Sequence, residues 1–357
     1  MRIRLLPLLV VAILTAGFAA TNSLDDLVRA VRDGNQQQQT DEQMAHSLHR
    51  LNLNVKLDNR TAEELESLVP GPKSIAELER QRDITQEMPA PAATPSFPTP
   101  PDPGMDELHE VLAAARGKAL AYTVGLPDFI CTETVRRYEA GLGKGTWAIR
   151  DTLTLQLTYF EHEENYKLTA MNGHKTGLTY DQVGGASSKG EFGSMLLSIF
   201  SPDSRTTFAF SNWTTLRKRP SYVFAYRIEL RNSNYHLTVG TYGGGFVSTV
   251  SGEHGLIYID RETRDVMRLD CQSDSIPDDF PLKASNRTLD YGLVDVGGRS
   301  FLLPTHAEVF MIPRLSSLRT RNEVEFTDYR KFTGQSTISF GDPSDEKSAP
   351  APPTKKK

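Results

Sequence analysis

The chain has 357 residues, a length that as a prior divides into two or three domains. With 38% hydrophobic and 24% charged residues, 26 Gly, 21 Pro and 2 Cys, it is neither wholly disordered, collagen-like, a disulfide-stapled miniature nor a polytopic membrane protein. A formal charge of −5 at pH 7 gives no general attraction to nucleic acid.

Arg2 and Arg4 precede an apolar run from Leu5 to Phe18 that closes on Ala19 and Ala20. A basic start, a short apolar middle and a small-residue end describe a secretory signal peptide over residues 1–19. The run falls short of the ~20 apolar residues a bilayer span needs, so the expected location is periplasmic or secreted, with no membrane span after cleavage. Removal of Arg2 and Arg4 with the leader takes the charge from −5 to −7.

Residues 23–86 carry helical signals. Ser23 with Asp26, Thr40 with Gln43, Thr61 with Glu64 and Ser74 with Glu77 predict four N-caps. Leu24, Leu27, Val28 and Val31 fall on one helical face, Met44, Leu48 and Leu51 on another, and Pro70-Gly71-Pro72 breaks the chain before the fourth helix. Such short helices persist only when packed, so a small helical module is expected. Seven prolines within residues 89–103 predict an extended spacer, and residues 87–103 form the linker.

Asp102-Pro103 reads as an N-cap followed by Pro at the first helical position. Leu108, Val111, Leu112, Ala115, Ala119 and Tyr122 then mark one face of a helix that Gly125 and Pro127 end. Beyond it the period falls to two. Leu153, Leu155, Leu157 and Tyr159 alternate with polar residues, as do Tyr222 to Leu230 and Phe301 to Val309, where Pro304 marks an edge or a bulge. Shorter strands are predicted at 129–139, 166–171, 235–241, 256–260, 266–271, 289–296, 324–330 and 337–340. The fold class is therefore α+β: a helical module, a Pro-rich linker, an antiparallel β-rich domain over 105–340, and a disordered tail over 341–357. One helix interrupts the strands, with Phe192, Met195, Leu196 and Ile199 on one face and Phe200 beside them. A curved sheet of this kind leaves a concave side to be filled by helices or by an apolar ligand. Phe192, Met195, Leu196, Ile199 and Phe200 are accordingly the candidate ligand-binding residues, either as a removable plug or as permanent core.

No catalytic residue is nominated from motifs. Lys175-Thr176-Gly177 lacks the Ser-x-x-Lys and Ser-Asp-Asn partners of a penicillin-binding site. Gly184 to Gly190 is not a P-loop, Gly243-Gly244-Gly245 reads as a turn, and His162-Glu163-Glu164 reads as a hairpin turn. A hydrolase remains open only as a group formed in the fold, with His162, His174 and Glu191 as its candidates. No metal set is spaced along the chain and no cofactor is called for. In an exported protein Cys131 and Cys271 either form a disulfide closing a loop of about 140 residues or remain two buried thiols.

The order helix, strand meander, inserted helix, further strands resembles the extracytoplasmic lipoprotein-carrier superfamily of Lol-type half-barrels. So do the stretches Gly255 to Val266 and Leu289 to Gly298. Leu126-Pro127-Asp128-Phe129 and Gly190-Glu191-Phe192-Gly193 are similar to exported bacterial proteins of acidobacterial type. The resemblance implies a half-barrel that holds acyl chains in its concave face and transfers no catalytic residue. The partners it implies are a lipid or lipidated ligand, with an envelope protein as the alternative.

Overall fold

The computed structural model describes residues 21–86, 88–141, 147–183, 194–240 and 246–332. The leader, Glu191, Phe192, the loops at 184–190 and 243–245, the strand expected at 337–340 and the tail lie outside the described residues.

Four helices open the chain: α1 (Leu24–Gln36), α2 (Asp41–His49), α3 (Asn59–Leu68) and α4 (Pro72–Thr85). Ser23 and Thr40 cap α1 and α2 in reciprocal capping boxes, as their spacing predicts. The other two expected caps shift. Asp58, not Thr61, caps α3, accepting from Thr61 N at 3.0 Å. Pro70 and Gly71 make the expected break, and Pro72 begins α4, because a first-turn proline lacks only a donor that has no helical partner anyway. Its cap comes from another helix: Asp41 accepts from Lys73 N (2.9 Å), Ser74 N (2.8 Å) and Ser74 Oγ (2.6 Å). The four helices share a core of Leu27, Val31, Met44, Leu48, Leu57, Leu65 and Leu78. The proline-rich segment joins that core and does not stand free. Phe97 is buried in it, and the Pro101 carbonyl accepts from Trp213 Nε1 at 3.2 Å.

After α5 (Met105–Gly125), which starts behind Gly104 rather than Asp102, the chain turns to strands. These are β1 (Phe129–Gly141), β2 (Ala148–Phe160), β3 (Glu163–Met171), β4 (His174–Lys175), β5 (Thr207–Leu216), β6 (Arg219–Ile228), β7 (Tyr235–Gly240), β8 (Phe246–Asp260), β9 (Val266–Asp274), β10 (Leu282–Asp295), β11 (Ser300–Pro313) and β12 (Leu318–Lys331); α6 (Ser194–Phe200) sits between β4 and β5. Every pairing is antiparallel, in one open, curved sheet ordered β4-β3-β2-β1-β12-β11-β10-β9-β8-β6-β5, with β7 on the first half of β8. Pro304 lies on a central strand, at the irregularity where Asp290 faces His306 and Tyr291 faces Pro304, so it marks a bulge. Gly255, opposite Cys271, admits no side chain: a Cβ there would lie 1.8 Å from the Asp270 carbonyl oxygen.

The sheet has two differently made faces. On the inner face, alternate residues such as Leu153, Leu155, Leu157, Phe224, Ile257, Leu269, Leu289 and Phe326 form one apolar cluster around α5 and α6. Val111, Ala115 and Ala119 of α5 enter it, the face its period predicted. On the outer face a small apolar cluster of Leu216, Val223 and Tyr258 lies beside polar positions of β9 to β11, and α3 and α4 line a cavity over the latter.

Candidate functional site

The inner face holds four of the five predicted ligand-binding residues together. Met195, Leu196, Ile199 and Phe200 are each buried, with Trp213, Tyr222 and Phe224 in the same cluster. Phe200 stacks on Phe208 with ring centroids 5.5 Å apart. Side chains from three other elements hold the short helix at its ends, Ser204 Oγ among them, donating to the Ile199 carbonyl at 3.3 Å. Arg116 Nε of α5 donates to the Phe200 carbonyl at 3.0 Å, Thr206 Oγ1 donates to the Ile199 carbonyl at 2.6 Å, and an Arg287 guanidinium nitrogen lies 3.5 Å from Met195 Sδ.

Cys131 and Cys271 both face this interior and remain free thiols. The disulfide is not formed, because their strands β1 and β9 lie four places apart in the sheet, about 19 Å at the usual strand spacing. Cys271 Sγ instead donates to Glu253 Oε2 at 3.1 Å. Burial pushes both thiols and the Glu253 carboxyl up. Arg137 and Asp151 form a second buried pair on this face, bonded at 2.5 and 2.6 Å.

The hydrolase group does not assemble. His162 sits in the β2–β3 turn, where Tyr159 OH is 3.4 Å away, and His174 begins β4 at the other end of β3. A nine-residue strand keeps them about 30 Å apart. Among the described residues no three His, Cys, Asp or Glu side chains are placed to hold a metal ion.

The outer face carries a polar site that strand periodicity alone does not reveal. A cavity of about 610 Å³ lies between α3, α4, the β5–β6 turn and strands β8–β11. Its floor is an ion network. Arg268 of β9 bonds both oxygens of Asp290 on β10 (2.8 and 2.9 Å) and reaches Glu63 of α3 at 3.2 Å. Arg217 and His306 approach the same Asp290 carboxylate at 3.6 and 3.7 Å. Glu63 also accepts from Thr214 Oγ1 (3.1 Å), Glu64 accepts from Thr215 N (2.9 Å), and Ser67 Oγ donates to the Thr215 carbonyl (2.5 Å). α3 is thus fastened to the sheet edge through polar groups.

The electrostatics follow from who is paired. Arg268, closely bonded, holds Asp290 well below the usual carboxylate range against the cost of burial. Glu63 is pushed up to about 7, because burial and the nearby Asp270 outweigh Arg268. Burial likewise raises Glu66, Glu79, Asp270 and Glu308. His306 is raised because the Asp290 carboxylate offsets its burial.

No family model and no curated protein matches the chain. Solved structures do. A putative outer membrane lipoprotein-sorting protein domain from Vibrio parahaemolyticus shares 12% identity over 63% of this chain and 94% of its own, at a TM-score of 0.35. A DUF1329 family protein from Desulfovibrio piger shares 9% identity over 63% and 95%, at 0.29. The lipoprotein LppX of Mycobacterium tuberculosis shares 10% identity over 62% and 95%, at 0.23. Each likeness covers nearly the whole of the solved structure and under two thirds of this chain. At TM-scores below 0.5 none of them carries an argument about function.

Proposed function

We propose that this chain is a non-enzymatic protein of the cell envelope that takes an apolar or lipidated ligand on the inner face of its sheet, with α6 as a removable plug. The observation that carries the reading is the disproportion between α6 and its seat. Four large apolar side chains of the inner core come from the seven described residues of this helix. A helix that short does not persist alone in water, so its seat maintains it. The basic and apolar start of the chain supports export.

The seat also sizes the ligand. Burying four Met, Leu, Ile or Phe side chains is worth about 6–12 kcal/mol in all, and each buried methylene about 0.8 kcal/mol. A ligand that takes the place of α6 therefore needs roughly 8–15 methylenes. An acyl chain fits that requirement.

Titration with a fluorescent fatty acid of about a dozen methylenes tests the proposal. Phe200→Asp is expected to raise uptake while the domain stays folded at a lowered urea midpoint that added fatty acid restores, since the charged helix end leaves its seat. Cooperative unfolding of Phe200→Asp without uptake contradicts it. That outcome favours a second reading, an envelope interaction module with a permanently packed interior, for which the bonds of Arg116 and Thr206 to the end of α6 speak.

A further inference from the structure

We propose that Glu253, Ser251 and Arg287 form a polar head site on the inner face, which takes a carbonyl group with a hydrogen-bond donor beside it, as in a carboxylic acid or an amide. The inference rests on the reading of α6 as a removable plug and names the polar end of its ligand. Strand register builds the site. Tyr226 of β6, Gly255 of β8, Cys271 of β9 and Arg287 of β10 stand opposite one another in a row across the sheet. Gly255 leaves a gap in that row, and Tyr226 packs against it: a Cβ there would lie 3.0 Å from Tyr226 Cε1. Glu253 stands two positions away on β8, opposite Ile228 of the inner core, and reaches Cys271 through Oε2. At the other end of the row the Arg287 guanidinium meets Met195 of α6.

Two buried groups here point to an occupant. Glu253 is 2% exposed, yet its second oxygen, Oε1, has no hydrogen-bond partner among the described residues. Ser251, two positions earlier on β8, is wholly buried, and its Oγ has none among them either. An acceptor buried without a donor loses its hydration for nothing, so a ligand that brings an N–H or O–H to Glu253 gains from it. Arg287 supplies the complementary half. Its contact on α6 is a thioether, a weak acceptor, and a ligand carbonyl standing in place of Met195 offers a better one. Carboxylic acids and amides present acceptor and donor side by side, whereas an ester presents the acceptor alone.

The two head groups differ in their response to pH. The other ionisable groups here are Cys271, Tyr226 and Tyr235, and burial raises all three, so they stay neutral. Burial raises the Glu253 carboxyl too. An acid ligand and Glu253 share one proton opposite the Arg287 charge, and both carboxyls lose that proton when apart at high pH. Acid binding therefore weakens as pH rises, whereas an amide, which meets Glu253 as a carboxylate, shows no such loss.

Displacement of the fluorescent fatty acid from the full chain by dodecanoic acid, dodecanamide and methyl dodecanoate tests the site. The acid or the amide should bind at least about tenfold more tightly than the ester of the same chain. Preference for the acid points to a free fatty acid and preference for the amide to an N-acylated ligand, and either supports the assignment. Equal affinity of all three overturns the head site and leaves the α6 reading standing, whereas displacement by none of them overturns both. Glu253→Met should erase the preference while ester binding and melting temperature stay near those of the parent. A preference that survives this change overturns the proposal, and the three-probe comparison on the parent protein decides without the variant.

Discussion

Replacing Arg268 by Met should cost this protein more than almost any other single change on its outer face. The guanidinium sits between Asp290, bonded through two nitrogens at 2.8 and 2.9 Å, and Glu63 at 3.2 Å, with only 12% of the Arg268 side chain, 8% of Asp290 and 2% of Glu63 exposed. Methionine keeps the length and removes the charge, so two carboxylates lose their main counter-charge inside the α3–sheet contact. Breaking one partner from a buried pair typically costs 3–5 kcal/mol. The loss should depend on pH. Near pH 5 Glu63 is largely neutral, since it titrates at about 7, and Asp290, freed from Arg268, takes up a proton more readily. At pH 8 both must be buried charged or leave the site. Urea unfolding at pH 5 and 8 should therefore show a loss of roughly 3–5 kcal/mol at pH 8 and a clearly smaller one at pH 5. Adding Glu63→Gln and Asp290→Asn to the Met variant should recover much of the deficit. A loss below about 1 kcal/mol at pH 8, or one independent of pH, would refute the network as the fastener of α3.

Glu63 makes its own prediction in the parent protein. A carboxyl raised on folding contributes stability that is present below its unfolded value near 4.5 and lost as pH rises through about 7, so urea stability should decline across that window and Glu63→Gln should flatten the slope. Asp41→Ala removes the acceptor of three bonds at the start of α4 and should lower the urea midpoint in the same assay; an unchanged midpoint would contradict the inter-helix cap. Thiol titration without reductant should find Cys131 and Cys271 unreactive in the folded protein, where burial raises both, and two free thiols after unfolding. No free thiols after unfolding would restore the disulfide.

The elements legible in the sequence were those whose signal is local. α1, α2, the apolar face of α5 and strands such as β2 and β11 follow from caps and from periods of 3.6 or 2. β5 escaped notice because a register shift between Phe210 and Asn212 moves the large side chains from even positions, Phe208 and Phe210, to Trp213. The α3 cap was misplaced because Thr61 and Asp58 both have the chemistry of a cap, and only Asp58 sits where the helix begins. The site divides the same way. The apolar stripe of α6 could be read from spacing, whereas Arg268, Asp290, His306 and Glu308 read as the solvated positions of strands. Their function depends on Glu63, 205 residues away from Arg268, reaching over the sheet. Burial of Glu63 and Glu64 on the packed side of α3 was the one trace, and it shows only once that helix is docked.

Native mass spectrometry of protein purified from its own envelope reads out what occupies the inner face. A bound species carrying an acyl chain is expected, lost on lipid extraction and regained on adding the fatty acid back. A single ligand-free mass before extraction, unchanged by added fatty acid, would contradict it and leave α6 as ordinary core.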